Sequence, residues 1–173
     1  MNIEFNPYVM VNIKTLGSGV KRADATRNYC IYNNMRVDVL SSYPDKSLPY
    51  IKEYLKTSND ENGILEALSI IDKIADDNIE KTGSAALSDI YPSLSRFNNT
   101  DSPDIQVMLS GIYRKILVPD AFGPLCKMLY KQIRYPNSKY FDPTEETGGA
   151  ILEYLRSYAA QSVYGQNLAH TQT

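Results

Sequence analysis

The chain has 173 residues, 43 % of them hydrophobic and 22 % charged, with a formal net charge of −2. Such values are ordinary for a folded domain, and a domain near this size buries roughly 70 % of its extended-chain surface. Collagen-like, disulfide-scaffold and fully disordered classes are excluded, and bulk charge gives no general attraction for polyanions.

One His and two Cys leave little material for a metal centre or a His-dependent triad. Cys30 and Cys126 lie far apart without a CxxC, and only His170 could add a soft ligand. Two reduced thiols in a cytoplasmic protein are the expectation. The N-terminus carries Glu4 where a signal peptide needs positive charge, and lacks an apolar run. No stretch reaches the roughly 18 apolar residues of a membrane span. A soluble protein without a membrane partner is expected, and the Asn98-Asn99-Thr100 sequon reads as a chance match. Fourteen Tyr against four Phe and no Trp fit a protein rich in interface residues. Thirteen Asn favour an AT-rich coding bias as the source of that excess.

Residues 1–45 mix Asn, the Gly17-Ser18-Gly19 triplet and short β-branched runs without a lasting helical stripe. A flexible leader or irregular cap, with a strand or hairpin, is expected there. Residues 46–163 show helical periodicity, and 164–173 form a polar tail expected to fray.

Ser47-Leu48-Pro49 reads as a cap and first-turn proline for a helix carrying Leu48, Ile51 and Leu55. Asp60 caps a second helix whose apolar positions are Ile64, Leu65, Leu68, Ile71, Ile74 and Ala75, a stripe wide enough to face a core. A third helix is expected from about Ser84 to Phe97, kinked or broken at Pro92. Ser102-Pro103-Asp104 combines a capping hydroxyl, an N1 proline and a first-turn carboxylate. The helix it opens presents Ile105, Met108, Leu109, Ile112, Tyr113 and Ile116. Pro119-Asp120 starts a fifth helix with Phe122, Leu125, Leu129 and Ile133 as its inward row. Asp142-Pro143-Thr144-Glu145 has the form of a capping box. The last helix, to about Ala160, is expected to bury Ile151, Leu152, Leu155, Tyr158 and Ala159.

Six helices in three pairs, with anchors Leu55, Leu94 and Leu129 spaced 39 and 35 residues apart, give a period on the scale of helical solenoid repeats. Asp60-Glu61-Asn62-Gly63-Ile64-Leu65-Glu66-Ala67, continuing to Ile71 and Ile74, resembles the second helix of a HEAT unit. The chain thus resembles the HEAT and armadillo-like repeat families over residues 47–160. Gly63-Ile64 stands where those families usually carry Val-Arg. In the second unit Asp101 leads to Met108 and Ile112, but Lys115 occupies an aliphatic position. The third unit has Gly148-Gly149-Ala150 instead. The resemblance implies an all-α fold, a short right-handed α-solenoid of about three helical hairpins. A compact five- or six-helix bundle is the alternative.

Charge is segregated. Asp60 to Asp104 holds ten acidic and three basic residues, whereas Ile112 to Lys139 holds six basic and one acidic. Lys127, Lys131 and Arg134 follow i, i+4, i+7 spacing and share a helix face, with Tyr130 and Tyr135 beside it. With Arg114 and Lys115 this basic row is the candidate binding site. Its readings are a solvated face, a site for an acidic protein partner, or a weak, salt-sensitive phosphate-backbone contact with nucleic acid. In the solenoid reading Arg114, Lys115 and Tyr154 lie on the inner surface. Asp72, Asp76, Asp77 and Glu80 form an acidic patch at the end of the second helix, without EF-hand spacing.

Nothing in the chain frames a catalytic centre. Gly17-Ser18-Gly19 lacks the GxSxG frame and the P-loop pattern, and Glu145-Glu146 suits a helix start. No catalytic residue, metal or cofactor is assigned. The expectation is a non-enzymatic protein-interaction module, monomeric or dimeric, with a nucleic-acid binder as second reading and a small helical enzyme as third.

Overall fold

The computed structural model describes residues 6–18, 21–22, 30–31, 34–81, 87, 89–136 and 143–170. These residues are almost wholly helical. The helices are α1 (Pro7–Lys14), α2 (Asn34–Ser42), α3 (Pro44–Thr57), α4 (Glu61–Lys81), α5 (Tyr91–Leu94), α6 (Pro103–Ile116), α7 (Phe122–Arg134) and α8 (Thr144–His170). A two-residue antiparallel ladder, Lys21 against Ile31 and Arg22 against Cys30, is the one extended feature among them.

Two stretches of the N-terminal 45 residues are helical, which corrects the expectation that no helix persists there. Asn6 caps α1, its side chain accepting the Val9 amide at 3.1 Å, and Pro7 supplies a preset φ at the first position. Val9, Ile13 and Leu16 are buried from this end, and Val37 and Leu40 from α2. Helix α1 packs on α3, and α2 on α4.

Helix α3 begins at Pro44, four residues before the expected Leu48. The Ser47 hydroxyl does not cap it; it donates to the Leu40 carbonyl at 2.6 Å and ties the helix to the end of α2. Pro49 therefore falls inside the helix, where its missing N–H removes one bond. Helix α4 starts as expected, with Asp60 accepting the Gly63 amide at 3.1 Å. Of the expected third helix the described part is short: α5, begun by Tyr91-Pro92, runs into a 3₁₀ turn at Ser95–Phe97. The remainder of that expectation, residues 84–86 and 88, lies outside the described residues.

Helix α6 follows its sequence signal closely. Ser102 accepts the Ile105 amide at 3.4 Å, and Leu117 ends the helix with a left-handed φ of 49°. A 3₁₀ turn at Pro119–Ala121 leads into α7, and α8 continues ten residues past the expected end at Ala160. Asp142, the expected cap of α8, lies outside the described residues.

The core runs through the middle of the chain. Ile51, Leu55, Leu65, Leu68, Ile70, Ile71, Ile90, Leu94, Leu109, Ile112 and Leu125 are fully buried, each worth about 1.5–3 kcal/mol of transfer free energy. Successive long helices stack side by side, α4 on α6 and α6 on α8, with α7 packed on α8. No helix among the described residues is long and apolar enough to cross a membrane.

Two faces differ from their expected rows. Helix α7 buries Leu125, Met128 and Gln132, leaving Ile133 exposed. Helix α8 buries Thr147, Ala150 and Tyr154, whereas Leu152, Leu155 and Tyr158 are exposed. A polar junction explains both rotations. The Gln132 amide donates to Gln106 Oε1 at 2.9 Å and to Thr147 Oγ1 at 3.1 Å, and Thr147 meets the Ser110 hydroxyl at 3.0 Å. Buried polar groups favour hydrogen-bonded partners, and these four side chains supply them to one another across α6, α7 and α8, with Gln132 Oε1 alone among the junction's atoms left without one.

Candidate interaction surface

Helix α7 carries Lys127, Lys131 and Arg134 on the side turned away from Leu125 and Met128, as their spacing requires. Lys127 and Arg134 are exposed, and Lys131 is partly so. Arg134 is built into an aromatic clasp. Its Nη1 donates to the Tyr130 hydroxyl at 3.1 Å and its Nε to the Tyr135 hydroxyl at 3.2 Å. The guanidinium carbon lies 6.0 Å and 5.8 Å from the two ring centroids, within cation–π range. Tyr130, Ile133 and Tyr135 are 63 %, 67 % and 59 % exposed. The end of α7 thus presents a fixed cation among uncovered apolar groups.

The remaining basic residues are occupied. Lys131 pairs with Asp101. Arg114, on α6, pairs with Glu146 of α8 at 3.3 Å. Lys115 reaches Asp72 at 2.6 Å and Asp76 at 2.9 Å on α4. Partial burial opposes the Lys115 charge, but hydrogen bonds and attraction from those two carboxylates outweigh it and raise the ammonium above its usual range. These pairs stitch α4, α6 and α8 together. The structure therefore splits the sequence-derived row: Arg114 and Lys115 bridge helices, while Lys127 and Arg134 face outward without a carboxylate partner among the described residues.

The acidic patch divides in the same way. Asp72 and Asp76 serve Lys115, Asp77 is half-buried near the end of α4, and the Glu80 side chain lies outside the described residues. No group of three or more His, Cys, Asp or Glu placed to hold a metal occurs among the described residues. Tyr154 is not a surface residue: it is 1 % exposed, and its hydroxyl donates to the Val118 carbonyl at 2.8 Å. Burial, with a lesser contribution from Tyr158 and Tyr91, pushes its phenol well above the ordinary range.

Sequence reading missed Ile133 as part of this surface. Leu125, Leu129 and Ile133 make an apolar row as regular as Leu125, Met128 and Gln132, and hydropathy favours the former. The signal that decides is Gln132 paired with Gln106 across two helices, which no single-helix periodicity contains. Comparison with protein families, characterised proteins and solved structures finds no match to this chain.

Proposed function

We propose that the chain is a non-enzymatic protein-interaction module of HEAT-like helical pairs, which docks an acidic, partly apolar protein segment on the outer side of α7. The observation carrying this reading is the Tyr130–Arg134–Tyr135 clasp with Ile133 and Lys127 exposed beside it. Tyr and Arg are enriched where interfaces concentrate their binding energy. A guanidinium held between two rings loses little conformational freedom on binding. The successive stacking of α4, α6 and α8 supports the repeat reading, since each unit of a solenoid packs on its neighbour.

A protein partner fits better than a phosphate backbone. Ion pairing at Arg114, Lys115 and Lys131 leaves two uncompensated cations in the row, whereas backbone binders spread many contacts along the strand. Two buried polar groups are committed inside the fold: Glu66 to Arg36 and the Gly17 amide, and Tyr113 to Asn98.

The test is capture from nuclease-treated source-cell lysate by the native chain and by a Lys127→Glu/Arg134→Glu variant. The expected result is a stoichiometric protein that the variant loses by at least about thirtyfold, with unchanged circular dichroism; loss of an interfacial anchor costs about 2 kcal/mol or more. Equal capture by both chains removes this surface, and capture abolished by nuclease moves the reading to nucleic acid.

A further inference from the structure

We propose that α8 is a self-association element, through which two copies of this chain pair by an antiparallel helix–helix seam. The stripe consists of Gly148, Leu152, Leu155 and Ala159, spaced i, i+4, i+7, i+11. It runs along the side of α8 away from its buried residues Thr147, Ala150 and Tyr154. Leu152 and Leu155 are 55 % and 48 % exposed, and Val163 further along is 56 % exposed. That spacing is the alternation of three and four that a two-helix seam requires.

The second half of the helix is the stronger observation. Tyr158 still packs on Phe122 of α7, with ring centroids 5.6 Å apart, but residues 159–163 are exposed at every position, so from there α8 has passed beyond the body of the molecule. The helix nevertheless continues to His170. From Ser157 to His170 there is no Asp, Glu, Lys or Arg. A solvated helix ordinarily carries charge on its outer side, and a short helical stretch without tertiary contacts is marginal in water. An uncharged helix standing clear of its own fold calls for a neighbouring surface of the same character.

Charge and side-chain size select a second copy, and they select its direction. A parallel pairing sets Glu145, Glu153 and Arg156 against their own duplicates. Antiparallel pairing puts the acidic first turn opposite the charge-free C-terminal half and opposes the two helix dipoles. With the two-fold axis between residues 153 and 154, Leu152 meets Leu155 of the second copy, Gly148 meets Ala159, and Glu145 meets Ser162. The leucines fill the centre, and the small residues on either side let the axes approach. One patch meets itself, as a closed two-fold interface demands.

From Glu145 to Ser162 the seam is about 26 Å long, and at a helix width of about 10 Å its footprint is roughly 260 Å² per chain. The two chains together reach about 520 Å², the scale of a weak, transient contact rather than of a stable dimer. Pairing is therefore weak and shows itself only at high chain concentration. Lys127 and Arg134 lie outside the seam, so this inference stands or falls separately from the α7 docking surface.

Sedimentation velocity over a concentration series reaching into the millimolar range tests it with three chains: native, Leu152→Glu and Leu155→Lys. Both leucines are exposed, so circular dichroism should match the native chain. The expected result is a native dimer that grows with concentration, two monomeric variants, and a one-to-one heterodimer when the variants are mixed, since position 152 faces position 155. A native chain that stays monomeric overturns the proposal, as does a Leu152→Glu variant that still dimerises. Monomeric variants that fail to pair on mixing overturn the antiparallel register.

Discussion

Helices α4 and α8 are the longest in the molecule, at 21 and 27 residues, and they stand at opposite extremes of burial. In α4, Gly63 to Leu68 are six consecutive buried residues, followed by Ile70, Ile71, Ile74 and Ala75. Neighbours cover it on several sides: α2, α3 and α6 all pack against it. In α8 the described side chains include only Thr147, Ala150 and Tyr154 as buried. Helix length thus says little about structural weight. A helix enclosed by its neighbours specifies the fold, whereas one touched along a single side is left free to meet something else.

The sharpest way to break this contrast is through Glu66, fully buried in the centre of α4. Its carboxylate accepts from Arg36 Nη1 at 2.8 Å and from the Gly17 amide at 2.5 Å. Removing one member of a buried pair strands the other, so Glu66→Ala is expected to cost about 3–5 kcal/mol in urea unfolding. A loss under 1 kcal/mol would mean that the pair contributes nothing. The same substitution in the two helices then separates them directly. Leu68→Ala in α4 is expected to cost about 2–5 kcal/mol, and Leu152→Ala in α8 less than about 0.5 kcal/mol at concentrations that keep the chain monomeric. Comparable losses at both sites would erase the distinction.

A further effect is one of pH. Tyr113, completely buried, has its phenol held far above the ordinary value of 10.0, first by burial and then by Tyr91 and Tyr154. A raised pKa favours the neutral form in the fold. Its stabilisation is therefore intact below pH 10 and declines above it, where the unfolded chain ionises and the folded chain does not. The decline approaches about 1.4 kcal/mol per pH unit for one such group. Urea midpoints measured from pH 9 to 11 should fall, and the fall should be shallower in Tyr113→Phe. Equal slopes in the two proteins would remove Tyr113 as the cause.

Legibility in the sequence followed the same division. The caps at Asp60 and Ser102, and the apolar rows of α4 and α6, stand where periodicity puts them, because those helices bury ordinary aliphatic residues. Helix α8 misled because the residues it buries are Thr147, Ala150 and Tyr154, small or polar-tipped, while its leucines face outward. Helix α7 misled through Gln132, whose burial is stabilised by partners on other helices. In α1 and the turn after it, Val9, Ile13 and Leu16 do follow i, i+4, i+7 spacing, but eight residues are too few to form a helix without the surface of α3 beneath them. For the candidate surface, the Lys127, Lys131 and Arg134 row was legible from spacing alone. The division between cations that bridge helices and cations that face outward depends on carboxylates up to 43 residues away in sequence, which local pattern does not contain.

The Gly17 turn also bears on the order in which the chain takes shape. Gly17 has φ 84°, and a Cβ there would come within 2.5 Å of the Gly63 amide nitrogen, so the two backbones are in near contact. The partners of this turn and of Arg36 arrive late: Glu66 follows Gly17 by 49 residues and Arg36 by 30. During synthesis the first helices leave the ribosome before the carboxylate that seats them exists. Helix α4 in turn carries a buried charge that is uncompensated until those earlier segments return to it. The seating of the first helices therefore waits on α4, though not on the helices that follow it.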